Sequence, residues 1–102
     1  MSSGGVAPRR KGSQWECDVR DYLRSRGYQA DRAYGAGRPD DVGDIDGIPG
    51  FHIECKNHRR MDLAGWIDQA SEGKGVPTLI VKRPRQPVGE AYVVMRLKDW
   101  EP

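Results

Sequence analysis

The alternation of apolar and polar positions divides the chain into helical and extended stretches. Trp15, Val19, Tyr22 and Leu23 recur at helical spacing, which predicts a helix over 14–26, opened by the capping-box pattern Ser13-Gln14-Trp15-Glu16 and stopped by Gly27. Tyr28 to Tyr34 reads as a strand with mixed alternation, and GAGRPDDVG after it as a loop. Residues 44–56, DIDGIPGFHIECK, alternate acidic and apolar positions on both sides of a Pro-Gly turn and predict a hairpin. Leu63, Trp66, Ile67 and Ala70 predict an amphipathic helix over 62–72, with Asp62 as N-cap and Gly73 as stop. Thr78 to Val81 and Glu90 to Met95 read as strands separated by the basic turn KRPRQPVG. The expected order is α-β-β-β-α-β-β, and a right-handed crossover through the second helix sets the hairpin's last strand parallel to the Thr78 strand.

Length narrows what these elements can build. A chain of 102 residues, 36% hydrophobic and 31% charged, suits one domain with a modest core, so a single α/β domain is expected over 13–102 behind a flexible basic tail at 1–12. MSSGGVAPRRKGS has no apolar leader segment and no run approaches membrane-spanning length, so a cytoplasmic protein without membrane contact is expected. Cys17 and Cys55 lack a CxxC partner and read as reduced, packed thiols.

The formal charge of +2 is too small to announce a polyanionic partner, but the basic residues are grouped. Arg9, Arg10 and Lys11 form one group, Lys56, His58, Arg59 and Arg60 a second, and Lys82, Arg83 and Arg85 a third. Converging on one face they would make a phosphate track; scattered, they would be an ordinary solvated surface.

In the hairpin, side chains alternate faces, so Asp44 and Asp46 share one face of their strand, opposite Ile45, and His52, Glu54 and Lys56 share one face of theirs, opposite Phe51, Ile53 and Cys55. For the apolar sets to meet, the turn needs an odd number of residues, and Ile48-Pro49-Gly50 supplies them, placing Asp44 across from Glu54. Facing carboxylates destabilise a sheet by up to about 1 kcal/mol. A divalent cation relieves that repulsion, and two carboxylates with water and a substrate phosphate are the hard donors Mg2+ prefers. A neighbouring lysine could neutralise a phosphate oxygen or orient water, as metal-assisted phosphodiester hydrolysis needs. The plain alternative is a solvated hairpin with charges on its outer face.

KGSQWE at 11–16, GDIDG at 43–47, FHIECK at 51–56, WIDQA at 66–70 and PTLIVKR at 77–83 occur in an order and spacing that together resemble the PD-(D/E)XK nuclease superfamily, in its Holliday-junction resolvase-like branch. The resemblance spans most of the chain and implies a restriction-endonuclease-like core, a mixed central sheet of about five strands flanked by helices. It also implies Mg2+, with Mn2+ as substitute, bound by Asp44 and Glu54, with Lys56 beside the scissile phosphate and Glu16 contributing from the first helix. The implied activity is endonucleolytic cleavage of DNA, at four-way junctions, by a homodimer without an organic cofactor. Arg9, Arg10, Lys11, Ser13, Arg59, Arg60, Gln69, Lys82 and Arg83 are the expected DNA contacts.

Several assignments keep a second reading. The literal Pro-Asp pair is Pro39-Asp40, inside the Gly-rich loop, so Asp40 and Asp41 are alternatives to Asp44 as ligand. Glu16 also fits a capping box, Gln69 an ordinary surface, Lys82 and Arg83 a solvated turn, and His52 an ion pair with Asp46. A zinc site from Cys17, His52, Cys55 and His58 is disfavoured, because His52 and Cys55 differ in parity on their strand. Trp15, Trp66 and Trp100 are expected to pack in the core or at its rim. A non-catalytic DNA-binding module, or a nicking or end-processing nuclease, would share most of these features.

Overall fold

The structure, a computed structural model, describes residues 7–33 and 41–101. The side chains of Arg9 and Arg10, and Pro39 with Asp40, lie outside the described residues. The first helix, α1, runs Ala7–Ser25. It begins well before the expected start, so Ser13 lies inside the helix and the capping-box reading is wrong. Ala, Arg, Lys and Gln before Trp15 are good helix formers, and a proline in the first turn costs little. The C-terminus is as expected: Gly27 N–H donates to Arg24 O at 3.0 Å and Tyr28 N–H to Leu23 O at 3.1 Å, the paired bonds of a Schellman motif.

Short strands β1, Asp31–Arg32, and β2, Ile45–Asp46, pair antiparallel. β3, Phe51–Lys56, leads into α2, Leu63–Ala70, whose N-cap Asp62 accepts the Gly65 N–H at 3.1 Å. β4, Val76–Val81, then lies parallel to β3, as the crossover predicts. A 3-10 turn, Val88–Glu90, precedes β5, Tyr92–Val94, which pairs antiparallel with β4, and a one-turn helix α3, Leu97–Trp100, follows. The order α-β-β-β-α-β-β is present, but the strands form a two-stranded and a three-stranded sheet in place of one five-stranded sheet. No described helix is long and apolar enough to cross a membrane.

Pro77 fits inside β4 because of its parity. Val76 and Lys82 donate their N–H groups to β3 (2.8 Å to Gly50 O, 2.9 Å to Lys56 O), so the even-numbered residues serve that ladder. Pro77 faces the β5 side, where pairing begins only at Leu79, so its missing donor is not needed.

Both faces of the larger sheet are covered. On one side Ile53 joins Trp15, Val19, Ala30 and Ile45 in the main core, with Phe51, Cys55 and Ile80 against it. On the other, Ile67 of α2 packs on Leu79 and Val81, flanked by Trp66 and Val94. The register pairs Glu54 with Leu79, so His52, Glu54 and Lys56 stand on the α2 side.

The hairpin expected over 44–56 is not formed. Ile45 and Ile53 enter one core, as the parity argument requires, but β2 pairs with β1 and the Ile48-Pro49-Gly50 register is lost. Instead, Gly43 makes a parallel bridge to Ile53, with Ile53 N–H donating to Val42 O at 2.9 Å and Asp44 N–H to Ile53 O at 2.6 Å. This approach demands glycine at 43: its φ is 93°, and a Cβ there would overlap the Ile53 carbonyl. Parity selects a face but not a partner, and here the partner comes from the distant β1.

Candidate active site

After Gly43 the chain pairs with the free edge of β3 for one bridge and then turns away to join β1. Asp44 sits at the point of divergence. Its Oδ2 accepts the backbone N–H of Cys55 at 2.8 Å, the next donor along that edge. The carboxylate is thereby fixed beside the residue that separates Glu54 from Lys56. Asp44 does come next to Glu54, through a side-chain hydrogen bond and a parallel bridge, in place of the cross-strand pair expected.

Electrostatics reflect this crowding. The Asp44 carboxyl is pushed up to about 6, first by burial and then by the charge of Glu54, with Glu16 adding to the effect. The Cys55 N–H bond and Lys56 pull the other way. Burial also drives the Cys55 thiol well above its usual range, with Asp44, Glu16 and Glu54 contributing, so Cys55 is an inert packed thiol.

Each neighbour of Asp44 is held. Glu54 Oε2 lies 2.6 Å from Nε2 of His52, a buried residue only 2% exposed. The expected His52 pairing with Asp46 is incorrect: Asp46 is exposed and its Oδ1 accepts the Gly47 N–H at 2.7 Å. Glu16 Oε1 receives Nε and Nη2 of Arg32 at 3.2 and 3.0 Å. The Lys56 ammonium stands over the Trp66 ring, 5.4 Å from its centre, and His58 packs on the same ring at 5.2 Å. Sequence reasoning gave Trp66 packing alone and did not single out Arg32. The trace of Trp66 was there: a large aromatic at the start of the crossover helix, on the face turned to β3.

Among the described residues, no group of three or more His, Cys, Asp and Glu side chains is arranged to hold a metal ion. Asp44 and Glu54 are close enough for one carboxylate to act on the other, each with one oxygen engaged by a protein group. Asp41 is spent on its own turn, Oδ1 accepting Gly43 N–H at 2.9 Å and its carbonyl accepting Lys74 N–H at 2.9 Å.

Lys11, Ser13, Arg59, Arg60, Lys82 and Arg83, six of the expected contact residues, gather at one end of the sheet. Parallel β3 and β4 point the same way, so Arg59 and Arg60, both exposed, and Lys82 and Arg83 follow neighbouring strand ends. The first half of α1 reaches the same end: Trp15 Nε1–H donates to Ile80 O at 3.1 Å and the Lys82 ammonium stands 5.0 Å above the Trp15 ring. Lys11 is exposed and Ser13 half-buried on that part of α1; Gln69, exposed in the last turn of α2, lies toward the opposite end, where the chain returns to the start of β4, and does not join them. Arg83 stacks on Tyr92 at 5.0 Å and lies 3.5 Å from Glu90.

The sequence matches no protein-family model, and no curated protein or solved structure matches it either.

Proposed function

We propose that the chain is a metal-dependent DNA endonuclease with a PD-(D/E)XK-type centre, acting as a homodimer on branched DNA. The observation that carries this reading is the Asp44 carboxylate, bonded to Cys55 N–H between Glu54 and Lys56 and raised to about 6 by burial and like charge. Two crowded carboxylates with a lysine alongside are a donor set that fits Mg2+ or Mn2+, since such ions take one or two carboxylates and complete their shell with water and phosphate. Asp44 and Glu54 would hold the ion, which supplies Lewis acidity and neutralises phosphate charge.

The chain's own residues do the rest. Lys56, kept in place by Trp66, presents a positive charge to a phosphate oxygen or to the attacking water. Glu16, tied to Arg32, contributes negative charge at Asp44 and stands behind the pair. Lys11, Ser13, Arg59, Arg60, Lys82 and Arg83 would bind the DNA backbone at the strand ends, where open α/β sheets place their ligands. A two-fold junction presents two equivalent phosphodiesters, which one centre per chain meets as a dimer. The β5 edge, with Tyr92 and Val93 exposed, and Leu97 and Trp100 beyond it are the apolar surface available for that pairing.

A DNA-binding module without turnover is the second reading, and the ties of Glu54 to His52 and Glu16 to Arg32 favour it. The deciding experiment is cleavage of an end-labelled four-way junction beside linear duplex, in Mg2+ or EDTA, with wild type and Lys56→Ala. Symmetric metal-dependent nicks lost in the variant support the enzyme; tight binding without a cut under any divalent metal supports the module.

A further inference from the structure

A histidine is rarely buried with one ring nitrogen unsatisfied, and His52 is such a case. Its side chain is 3% exposed, Nε2 lies 2.6 Å from Glu54 Oε2, and Nδ1 is buried without a partner among the described residues. A carboxylate only accepts, so Nε2 carries the shared proton. The far edge of the ring abuts Gly73, where a Cβ would overlap Cε1 and Nδ1, so the backbone after α2 leaves the imidazole no room to turn. An orphaned buried nitrogen is a cost that the fold accepts, and the bond to Glu54 is what it obtains in return.

We infer that His52 is a positioning residue for Glu54, donating from Nε2 to Oε2 and so holding the carboxylate that, with Asp44, would bind a divalent ion. This rests on the proposed nuclease site. Glu54 has three side-chain torsions, and without a donor its carboxylate would swing away from Asp44, whose charge repels it. His52 alternates with Glu54 along β3 and shares its face, so it reaches the carboxylate without a loop, and Gly73 fixes the ring from behind. The arrangement is an outer-shell support, in which a hydrogen bond to a ligand carboxylate sets its orientation.

The test is Mn2+ binding without DNA, read by electron paramagnetic resonance, for wild type, His52→Leu, His52→Gln, Glu54→Gln and Asp44→Asn, with near-ultraviolet circular dichroism to establish folding. The expected result is a loss of about 10- to 100-fold in Mn2+ affinity for His52→Leu, substantial recovery in His52→Gln, whose amide restores a donor, and abolition in Glu54→Gln and Asp44→Asn. Wild-type affinity in a folded His52→Leu, with both carboxylate variants still defective, overturns the role of His52 and leaves the site reading intact. Absence of Mn2+ binding in wild type, or its indifference to Glu54→Gln, overturns both. Should His52→Leu fail to fold, imidazole nitrogen resonances of the wild-type protein decide: a protonated Nε2 that shifts on addition of Mg2+ is expected, and an unprotonated Nε2, or one indifferent to Mg2+, refutes the inference.

Discussion

Asp44 fills, with its side chain, the hydrogen-bond position that a longer strand would have given to Cys55: its Oδ2 accepts the Cys55 N–H at 2.8 Å. Strand divergence thus converts a backbone donor into a clamp on a carboxylate. Because Cys55 lies between Glu54 and Lys56, the clamp also fixes which groups Asp44 feels. The geometry has a direct consequence for pH.

The Asp44 carboxyl is raised from 3.8 to about 6 on folding, so the folded state binds its proton more tightly than the unfolded chain. Its contribution to stability is therefore complete below about pH 4 and is lost as pH rises through about 6, an effect of order 3 kcal/mol at 1.36 kcal/mol per unit. In EDTA, the melting temperature should fall between about pH 4 and 6 and level off above that, and Asp44→Asn, which keeps an acceptor for Cys55 N–H, should flatten that fall and be the more stable protein at pH 8. Thermal melts across pH decide it; an unchanged slope in the variant would show that Asp44 is not the titrating group. Added Mg2+ should raise the wild-type melting temperature above pH 6 and leave the variant unmoved.

Gly43→Ala should be far more harmful than an ordinary loop substitution. It sets a Cβ against the Ile53 carbonyl and forces a non-glycine residue to φ 93°, each a source of strain of about 1–3 kcal/mol. The parallel bridge would open and Asp44 would lose its station beside Cys55. Urea unfolding should show a reduced midpoint, and the pH dependence attributed to Asp44 should weaken with it. A variant as stable as wild type would mean that the bridge does not set the site.

How much of this was legible depended on the range of the contact involved. The second helix, its Asp62 cap and the parallel crossover from β3 to β4 follow from local pattern and a chirality rule, and the structure has them. Ile45 and Ile53 were rightly assigned to one core because strand parity is local too. The partner of Ile45 was not: it is Arg32, on a strand of two residues that periodicity cannot fix. The helix start was misplaced because Ser13-x-x-Glu16 matches a cap by sequence, while Trp15 and Val19 hold the helix by packing, and the good helix formers upstream extend it to Ala7. His52 was placed on the right face with the wrong partner, since the i, i+2 neighbour Glu54 was within reach and Asp46 sits on another sheet.

Trp66 should matter to cleavage through Lys56. The ammonium lies 5.4 Å from the ring centre, on a residue half-buried between α2 and β3. A cation over an aromatic face at such a site gains about 0.5–1 kcal/mol, which corresponds to about 2- to 5-fold in rate. Trp66→Phe should keep most of the junction-cleavage rate and Trp66→Leu should lose that factor, with Mn2+ affinity unchanged in both. Equal rates in Trp66→Leu and wild type would separate Lys56 from its aromatic support.

Arg59 and Arg60 provide the sharpest test of the DNA-binding end, because their freedom differs from that of Arg83. Among the described residues neither is held by an ion pair, a hydrogen bond or a ring, and both are exposed just past β3. Arg83 is occupied by Glu90 and Tyr92. Each free arginine that neutralises a duplex phosphate releases counterion and steepens the dependence of log K on log salt by about 0.9. Replacing Arg59 and Arg60 with alanine should therefore reduce the slope by nearly 2, weakening binding equally for different sequences, whereas Arg83→Ala should change it by less than one phosphate's worth. Fluorescence anisotropy with a labelled duplex over a range of NaCl reads both slopes. A double variant with the wild-type slope would move the DNA away from this end of the sheet, and with it the case for Lys56 beside a phosphate.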